Sequence, residues 1–245
     1  ERQASGSGTG TRMSDKKSKQ TPRRQTAAVE LARNAPEELY DASYYKDGCT
    51  GDGATEYGRK EPWLTFFKTV AKKVKKTYHP KTVADVGCAV GLLTEALVDL
   101  GVDAYGFDIS PYAIDQARED MKDRLFVHPI TEPIPHWSGG QKYDLTICIE
   151  VLEHLPPDMA DTAVKNLCES SDRILFSSSP DDFDEPTHFN ILPTEEWLAK
   201  FAAHGFAPSP HGFKAPYVAP QARVVERIGT PAPRGSFLRR LFGKL

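Results

Sequence analysis

Val83-Ala84-Asp85-Val86-Gly87-Cys88-Ala89-Val90-Gly91 runs from a short apolar stretch through two glycines into the amphipathic segment Leu92–Leu100. The pattern predicts a buried strand, a tight turn and a helix, with Gly87 and Gly91 where the backbone comes close to a ligand and any Cβ would collide. The same alternation continues outward. Strands are predicted at Thr82–Val86, Ala104–Phe107, Leu125–Val127, Leu145–Ile149 and Ile174–Ser177, with helices near Leu92–Leu100, Tyr112–Met121, Met159–Glu169 and Thr194–His204. Continuous apolar strands separated by helices specify a parallel sheet covered on both faces. After the last helix, Phe206–Phe213 and Tyr217–Arg227 flank Lys214-Ala215-Pro216, which predicts a closing antiparallel hairpin.

Upstream, Ala27–Tyr40 reads as a short helix and Cys49–Arg59 (CTGDGATEYGR) as a Gly-rich loop. Pro62 then fits a first helical position, and Trp63, Phe66, Phe67, Val70 and Val74 form one apolar stripe opposite a lysine-rich face, read as solvated. The 245 residues are 39% hydrophobic and 27% charged, which suits one large domain or two small ones and excludes global disorder. No run approaches the roughly 18 apolar residues of a membrane span. No apolar stretch near the start follows a basic one as in a signal peptide, so a cytoplasmic location is expected. Cys49, Cys88, Cys148 and Cys168 show no CxxC pairing and are expected to be reduced, mostly core thiols.

The net charge of -3 conceals a division, because residues 1–24 carry +5 and residues 229–245 carry +4, leaving -12 for the part between. A body that acidic repels phosphate backbones over its general surface, so nucleic acid is disfavoured as a partner. The boundaries expected are a disordered leader at 1–24, in which Met13 is a candidate start, an N-terminal helical lid at 25–80, a catalytic domain at 81–228 and a basic amphipathic tail at 229–245. That tail is suited to weak contact with an anionic membrane surface, peripheral to an inner membrane.

Asp108 ends the second predicted strand, 23 residues after Asp85, where a carboxylate accepts both hydroxyls of an adenosine ribose. Dinucleotide sites favour G-x-G-x-x-G, whereas here Cys88-Ala89-Val90 separates the two glycines, and a cofactor without phosphates fits better. D-x-G-C-x-x-G, followed by YGFDIS and YDLTICIEVLEHL, resembles the class I S-adenosylmethionine-dependent methyltransferases over about residues 57–228. The resemblance implies an α/β, Rossmann-like, seven-stranded and mostly parallel sheet with helices on both faces and an antiparallel C-terminal hairpin. It also implies that Asp85, Gly87, Cys88 and Gly91 border the methionyl part of the cofactor and that Asp108 grips its ribose. Ile109 would lie against adenine, and the Thr131-Glu132 turn would approach the adenine edge.

Glu150, Glu153 and His154 form E-x-x-E-H after the fourth strand. On a helix these positions share one face, bringing two carboxylates and an imidazole together. Paired carboxylates raise one another's pKa unless a cation lies between them. One reading gives Glu150 to the cofactor and leaves Glu153 and His154 as helix caps. The other adds His188, from the loop SSPDDFDEPTHFN at 178–190, since loops at the carboxyl ends of parallel strands converge. In that second form the cluster is similar to the small-RNA 3′-terminal 2′-O-methyltransferases and the ubiquinone-pathway O-methyltransferases. The likeness implies Glu150, Glu153, His154 and His188 as ligands of a divalent cation, Mg or Mn, with His154 or His188 as the base where it is not a full ligand.

PDDFDEPTHFN, LPTEEWLAKFAAHGF and YGRKEPWLTFF further resemble methyltransferases of bacterial surface-polysaccharide clusters. This implies a glycan or other hydroxyl-bearing acceptor, with Tyr57, Arg59 and Trp63 in a lid and Arg59 paired with the methionyl carboxylate. An RNA 2′-O-methyltransferase, a catechol or quinone O-methyltransferase and a non-catalytic cofactor-binding module are the alternatives. His128, His136, His204 and His211 receive no role.

Overall fold

A computed structural model describes residues 22–48, 56–136 and 140–231. The leader up to residue 21, residues 49–55 of the Gly-rich loop with Cys49, and the tail from residue 232 lie outside the described residues. Seven strands form one sheet: β1 (Thr82–Val86), β2 (Asp103–Asp108), β3 (Leu125–Val127), β4 (Leu145–Ile149), β5 (Arg173–Ser177), β6 (Phe206–Pro208) and β7 (Arg223–Arg227). Their order is β3-β2-β1-β4-β5-β7-β6. The pairs among β1 to β5 are parallel, and β7 runs antiparallel to both β5 and β6.

Strand residues alternate between two cores, as a pleat with both faces covered requires. Ala84, Cys148, Ile174 and Val225 pack with α6 (Ala160–Ser170) and α7 (Thr194–Ala203), whose Trp197 and Phe201 are fully buried. Val83, Leu145, Ile147, Leu175 and Val224 face the other way, onto Val70 and Val74 of α3 (Trp63–Tyr78) and Leu93 and Leu97 of α4 (Leu92–Asp99). Cys88, Cys148 and Cys168 are buried free thiols. No helix among the described residues is long and apolar enough to cross a membrane.

Three sequence expectations are corrected here. The predicted N-terminal helix is broken at Ala35, into α1 (Pro22–Asn34) and α2 (Pro36–Leu39), because Pro36 disfavours helical backbone before it. The helix expected over Tyr112–Met121 is only α5 (Pro111–Asp115), started by the Ala113 N–H donating to the Ser110 hydroxyl. Arg118 leaves helical geometry (φ -58°, ψ 135°), its guanidinium pairing with Glu95 and Asp99 of α4, and a 3-10 turn over Glu119–Arg124 leads into β3. The C-terminal hairpin forms as expected but with a shorter ladder, pairing Phe206–Pro208 with Val225–Arg227 and adding one bridge between Lys214 and Arg223. Pro208, Pro210, Pro216 and Pro220 lack the N–H that a longer ladder needs.

Candidate active site

Turns at the carboxyl ends of the parallel strands border one cavity of about 400 Å³. Gly87 has φ +78°, and its N–H and that of Cys88 donate to the Phe107 carbonyl at 2.7 and 3.2 Å, tying the turn to the end of β2. A Cβ at Gly87 would lie 2.1 Å from Cγ2 of Val151, and one at Gly91 (φ +77°) would lie 2.5 Å from Cδ1 of Leu125. Protein packing and positive φ both favour glycine at these two positions, and Gly87 also lines the cavity.

Asp108 accepts the Ala89 N–H on Oδ2 at 2.7 Å and the Ser110 N–H on Oδ1 at 2.9 Å, and burial pushes its carboxyl up. Asp85 is buried too, with the Thr94 hydroxyl donating to Oδ2 at 2.7 Å. Burial pushes the Asp85 carboxyl up to about 7, against that hydrogen bond and with the charge of Asp108 adding to the rise. Asp85, Gly87, Cys88, Asp108, Ile109 and Thr131 all line the cavity. Gly91, Glu132 and Arg59 do not: Gly91 caps α4, Glu132 is exposed, and the Arg59 guanidinium pairs with Glu95. Arg59 thus satisfies a nearly buried carboxylate of α4 and is committed elsewhere than the cavity expected for it.

The E-x-x-E-H segment is not an α-helix. Glu150, directly after β4, has φ +52°, and only a 3-10 turn, Leu152–His154, follows before Pro156 and Pro157 divert the chain. The three side chains consequently do not share a helical face. Gln221 Nε2 donates to Glu150 Oε1 at 3.1 Å. Glu153 is fully buried, with Oε1 accepting the Ser179 N–H at 2.7 Å, and burial plus the charge of Glu150 holds its carboxyl well above the usual range.

The Glu153 carbonyl also accepts the N–H groups of Phe189 and Asn190, at 2.8 and 2.9 Å, which draws the loop after β5 over this turn and brings His188 to His154. The two imidazoles meet edge to face, 4.5 Å between centroids. His154 Nδ1 lies 2.9 Å from the Thr187 hydroxyl and 3.2 Å from the Thr187 carbonyl, and His188 Nδ1 lies 2.9 Å from the Asp182 carbonyl. Burial, then the neighbouring His188, lowers the His154 pKa to about 3, so the ring is neutral. Glu150, His154 and His188 line the cavity, whereas Glu153 lies behind it.

The ligand set expected for a divalent cation is close together but not assembled. Among the described residues no three His, Cys, Asp or Glu side chains converge as an ion requires. Glu153 Oε1 accepts a backbone N–H, the Glu150 carboxyl lies beside that of Glu153 and accepts from Gln221, and the imidazoles pack edge to face. These residues as arranged do not fit a resident divalent ion, and no step below passes through one.

Sequence reasoning missed most of the aromatic side of the cavity. Tyr40, Tyr44, Tyr45, Phe66 and Phe67 line it beside the anticipated Tyr57 and Trp63. Tyr40 links its parts: its carbonyl accepts the Ser110 hydroxyl, its own hydroxyl donates to the His154 carbonyl at 3.5 Å, and its ring meets His154 edge-on at 5.8 Å. Burial and the nearby carboxylates of Asp108, Glu185 and Glu153 raise its hydroxyl pKa far above the usual value. The signal available was three tyrosines within six residues, 40–45, in an otherwise polar stretch. Asp182 and Glu185 also line the cavity and were unassigned.

Residues 84–170 match the family model of a methyltransferase domain. Over that segment the chain is similar to a methyltransferase domain. Over 100 residues the chain is 34% identical to a magnesium-protoporphyrin O-methyltransferase of Synechocystis, covering 39% of this chain and 43% of the relative. It is 31% identical over 102 residues to a ubiquinone biosynthesis O-methyltransferase of Methylococcus capsulatus, covering 40% and 43%. The chain thus spans less than half the length of these relatives. The crystal structure of magnesium protoporphyrin IX methyltransferase from Synechocystis with bound SAH superposes with a TM-score of 0.56 over 80% of this chain and 99% of that one, at 17% identity. That likeness concerns the fold alone.

Proposed function

We propose that this protein is an S-adenosylmethionine-dependent O-methyltransferase acting on the hydroxyl of an uncharged ring, a sugar of a bacterial surface glycan or its precursor. The observation that carries the reading is that Asp108 and a neutral His154 line the same cavity, whose volume suits a cofactor-sized ligand. S-adenosylmethionine, when bound, supplies an electrophilic methyl group on a sulfonium. Backbone N–H groups approach both Asp108 oxygens, whose four lone pairs leave room for ribose hydroxyls as well. Ile109 offers an apolar wall for the adenine and Asp85 a carboxylate for the methionyl ammonium.

The acceptor hydroxyl becomes strongly acidic as its oxygen gains a methyl, so even a weak base removes the proton. His154 is uncharged at every physiological pH and is therefore always ready to take it. The main catalytic task is then to hold the acceptor in line, which the packed tyrosines, Trp63, Phe66 and Phe67 do by shape. Aromatic faces and few charges suit the flat faces of sugars. They suit phenols equally, and that second reading is favoured by the side chains of Phe66 and Phe67, which offer no hydrogen bond to a polyol. RNA fits neither the lining nor the acidic body.

Transfer of labelled methyl from S-adenosylmethionine should be measured with three acceptor sets: sugar nucleotides and lipid-linked sugars, hydroquinones and catechols, and RNA. Label in the sugar fraction is the expected result, and label in the phenols selects the second reading. Cofactor binding without label in any set would identify a binding module and end the enzymatic reading.

A further inference from the structure

We infer that Thr187 and Glu185 are positioning residues that lock His154 in a single tautomer, with the proton on Nδ1 and the lone pair on Nε2. The inference deepens the proposed function, since it names which atom of the base takes the acceptor proton and what selects it. The Thr187 hydroxyl has one hydrogen, and that hydrogen is committed: Oγ1 lies 2.7 Å from Glu185 Oε1, which also accepts the Thr187 N–H at 3.1 Å. A hydroxyl that donates to a carboxylate can only accept from its second neighbour. The second neighbour is His154 Nδ1, at 2.9 Å. The Thr187 carbonyl, 3.2 Å from the same nitrogen, is likewise only an acceptor. Two independent acceptors therefore require Nδ1–H.

Both relay residues are buried, at 6% exposure each, so water does not compete for these bonds. Pro186 and the turn in which the His188 N–H donates to the Glu185 carbonyl at 3.2 Å fix their spacing. The same loop applies the same rule to His188, whose Nδ1 faces the Asp182 carbonyl. A ring in the other tautomer would present Nε2–H to the cavity and could not accept a proton there.

The test uses the whole protein and has two readouts. In the cofactor-free state, long-range ¹⁵N–¹H correlation spectra report which nitrogen of His154 carries hydrogen, independently of turnover. Steady-state kinetics on the accepted substrate then separate kcat from KM. Wild type should show Nδ1–H. Glu185→Ala frees the Thr187 hydroxyl to compete with the Thr187 carbonyl for Nδ1, so an Nε2–H signal should appear beside Nδ1–H and kcat should fall by up to about 10-fold, with KM for the cofactor unchanged. Thr187→Val should lower kcat similarly and Thr187→Ser should restore it, which separates a lost hydrogen bond from a damaged fold. An Nε2–H signal in the wild type, or full kcat in both Glu185→Ala and Thr187→Val, would overturn the inference. A wild-type protein with Nδ1–H and no turnover on any acceptor would instead overturn the proposed function and leave the tautomer lock standing.

Discussion

Asp85 couples cofactor binding to pH. Its carboxyl is buried and pushed up to about 7, so near neutrality about half of the free protein holds a proton there. A cofactor that brings an ammonium group to this carboxylate binds only the ionised form. Below pH 7 binding must therefore release a proton, and affinity falls as the pH falls. At pH 6 about one Asp85 in eleven is ionised and at pH 8 about ten in eleven, so affinity should rise about tenfold between them, or about 1.4 kcal/mol. Titration calorimetry at pH 6 in two buffers of different ionisation enthalpy should show close to one proton released. Asp85→Asn should flatten the pH dependence. The same burial acts on folding with the opposite sign: the folded carboxyl keeps a proton that the unfolded one, at 3.8, has lost, so stability declines between about pH 4 and 7. The cost reaches about 4 kcal/mol above pH 7. Asp85→Asn should thus melt higher than wild type at pH 8 while binding the cofactor less well. Equal affinity at pH 6 and 8 in the wild type, or an unchanged slope in the variant, would refute the assignment.

Asp108→Ala removes the acceptor for two backbone N–H groups as well as the ribose contact, and cofactor affinity should fall more than about 100-fold by calorimetry; circular dichroism verifies the fold. His154 has a folded pKa near 3 against an unfolded 6.5, so the unfolded chain binds the extra proton and stability is lost as pH drops below 6.5. Urea titrations should show about 1.4 kcal/mol lost per pH unit between 6 and 4 from this group, absent in His154→Gln. Turnover should be unchanged by chelator, because the E-x-x-E-H side chains do not converge on an ion; a chelator-sensitive rate restored by Mn²⁺ would reverse that conclusion.

The sheet was readable because strands buried on both faces are continuous apolar runs, and Thr82–Val86 and Leu145–Ile149 appear where the run lengths placed them. Asp85, Asp108 and Glu150 border the cavity for a related reason, since in a parallel sheet the residues ending each strand come to one edge whatever the loops do, and Ile109, expected from the family resemblance, lies with them. The reasoning failed where a local rule met a tertiary demand. Helical periodicity over Tyr112–Met121 is real, yet the ion pairs of Arg118 with Glu95 and Asp99 and the need to feed β3 end α5 early. The spacing of E-x-x-E-H suggests a helix, but a left-handed residue at Glu150 and two prolines after Leu155 allow only one 3-10 turn.

Tyr40, Glu185 and Thr187 were missed for a further reason, since each acts across more than 30 residues of sequence, Tyr40 on Ser110 and His154, and Glu185 through Thr187 on His154. Periodicity carries no information at that separation. What the sequence could show was their type, a tyrosine cluster and an acid-rich loop. The chemistry of the base depends on the second of these: PDDFDEPTH contributes His188 alone to the expected site, yet its Glu185 is buried and directs a hydroxyl that in turn directs an imidazole. A charged residue withdrawn from water at a strand's carboxyl end is held there against its own desolvation, and what it orients is the better guide to its role than what it resembles.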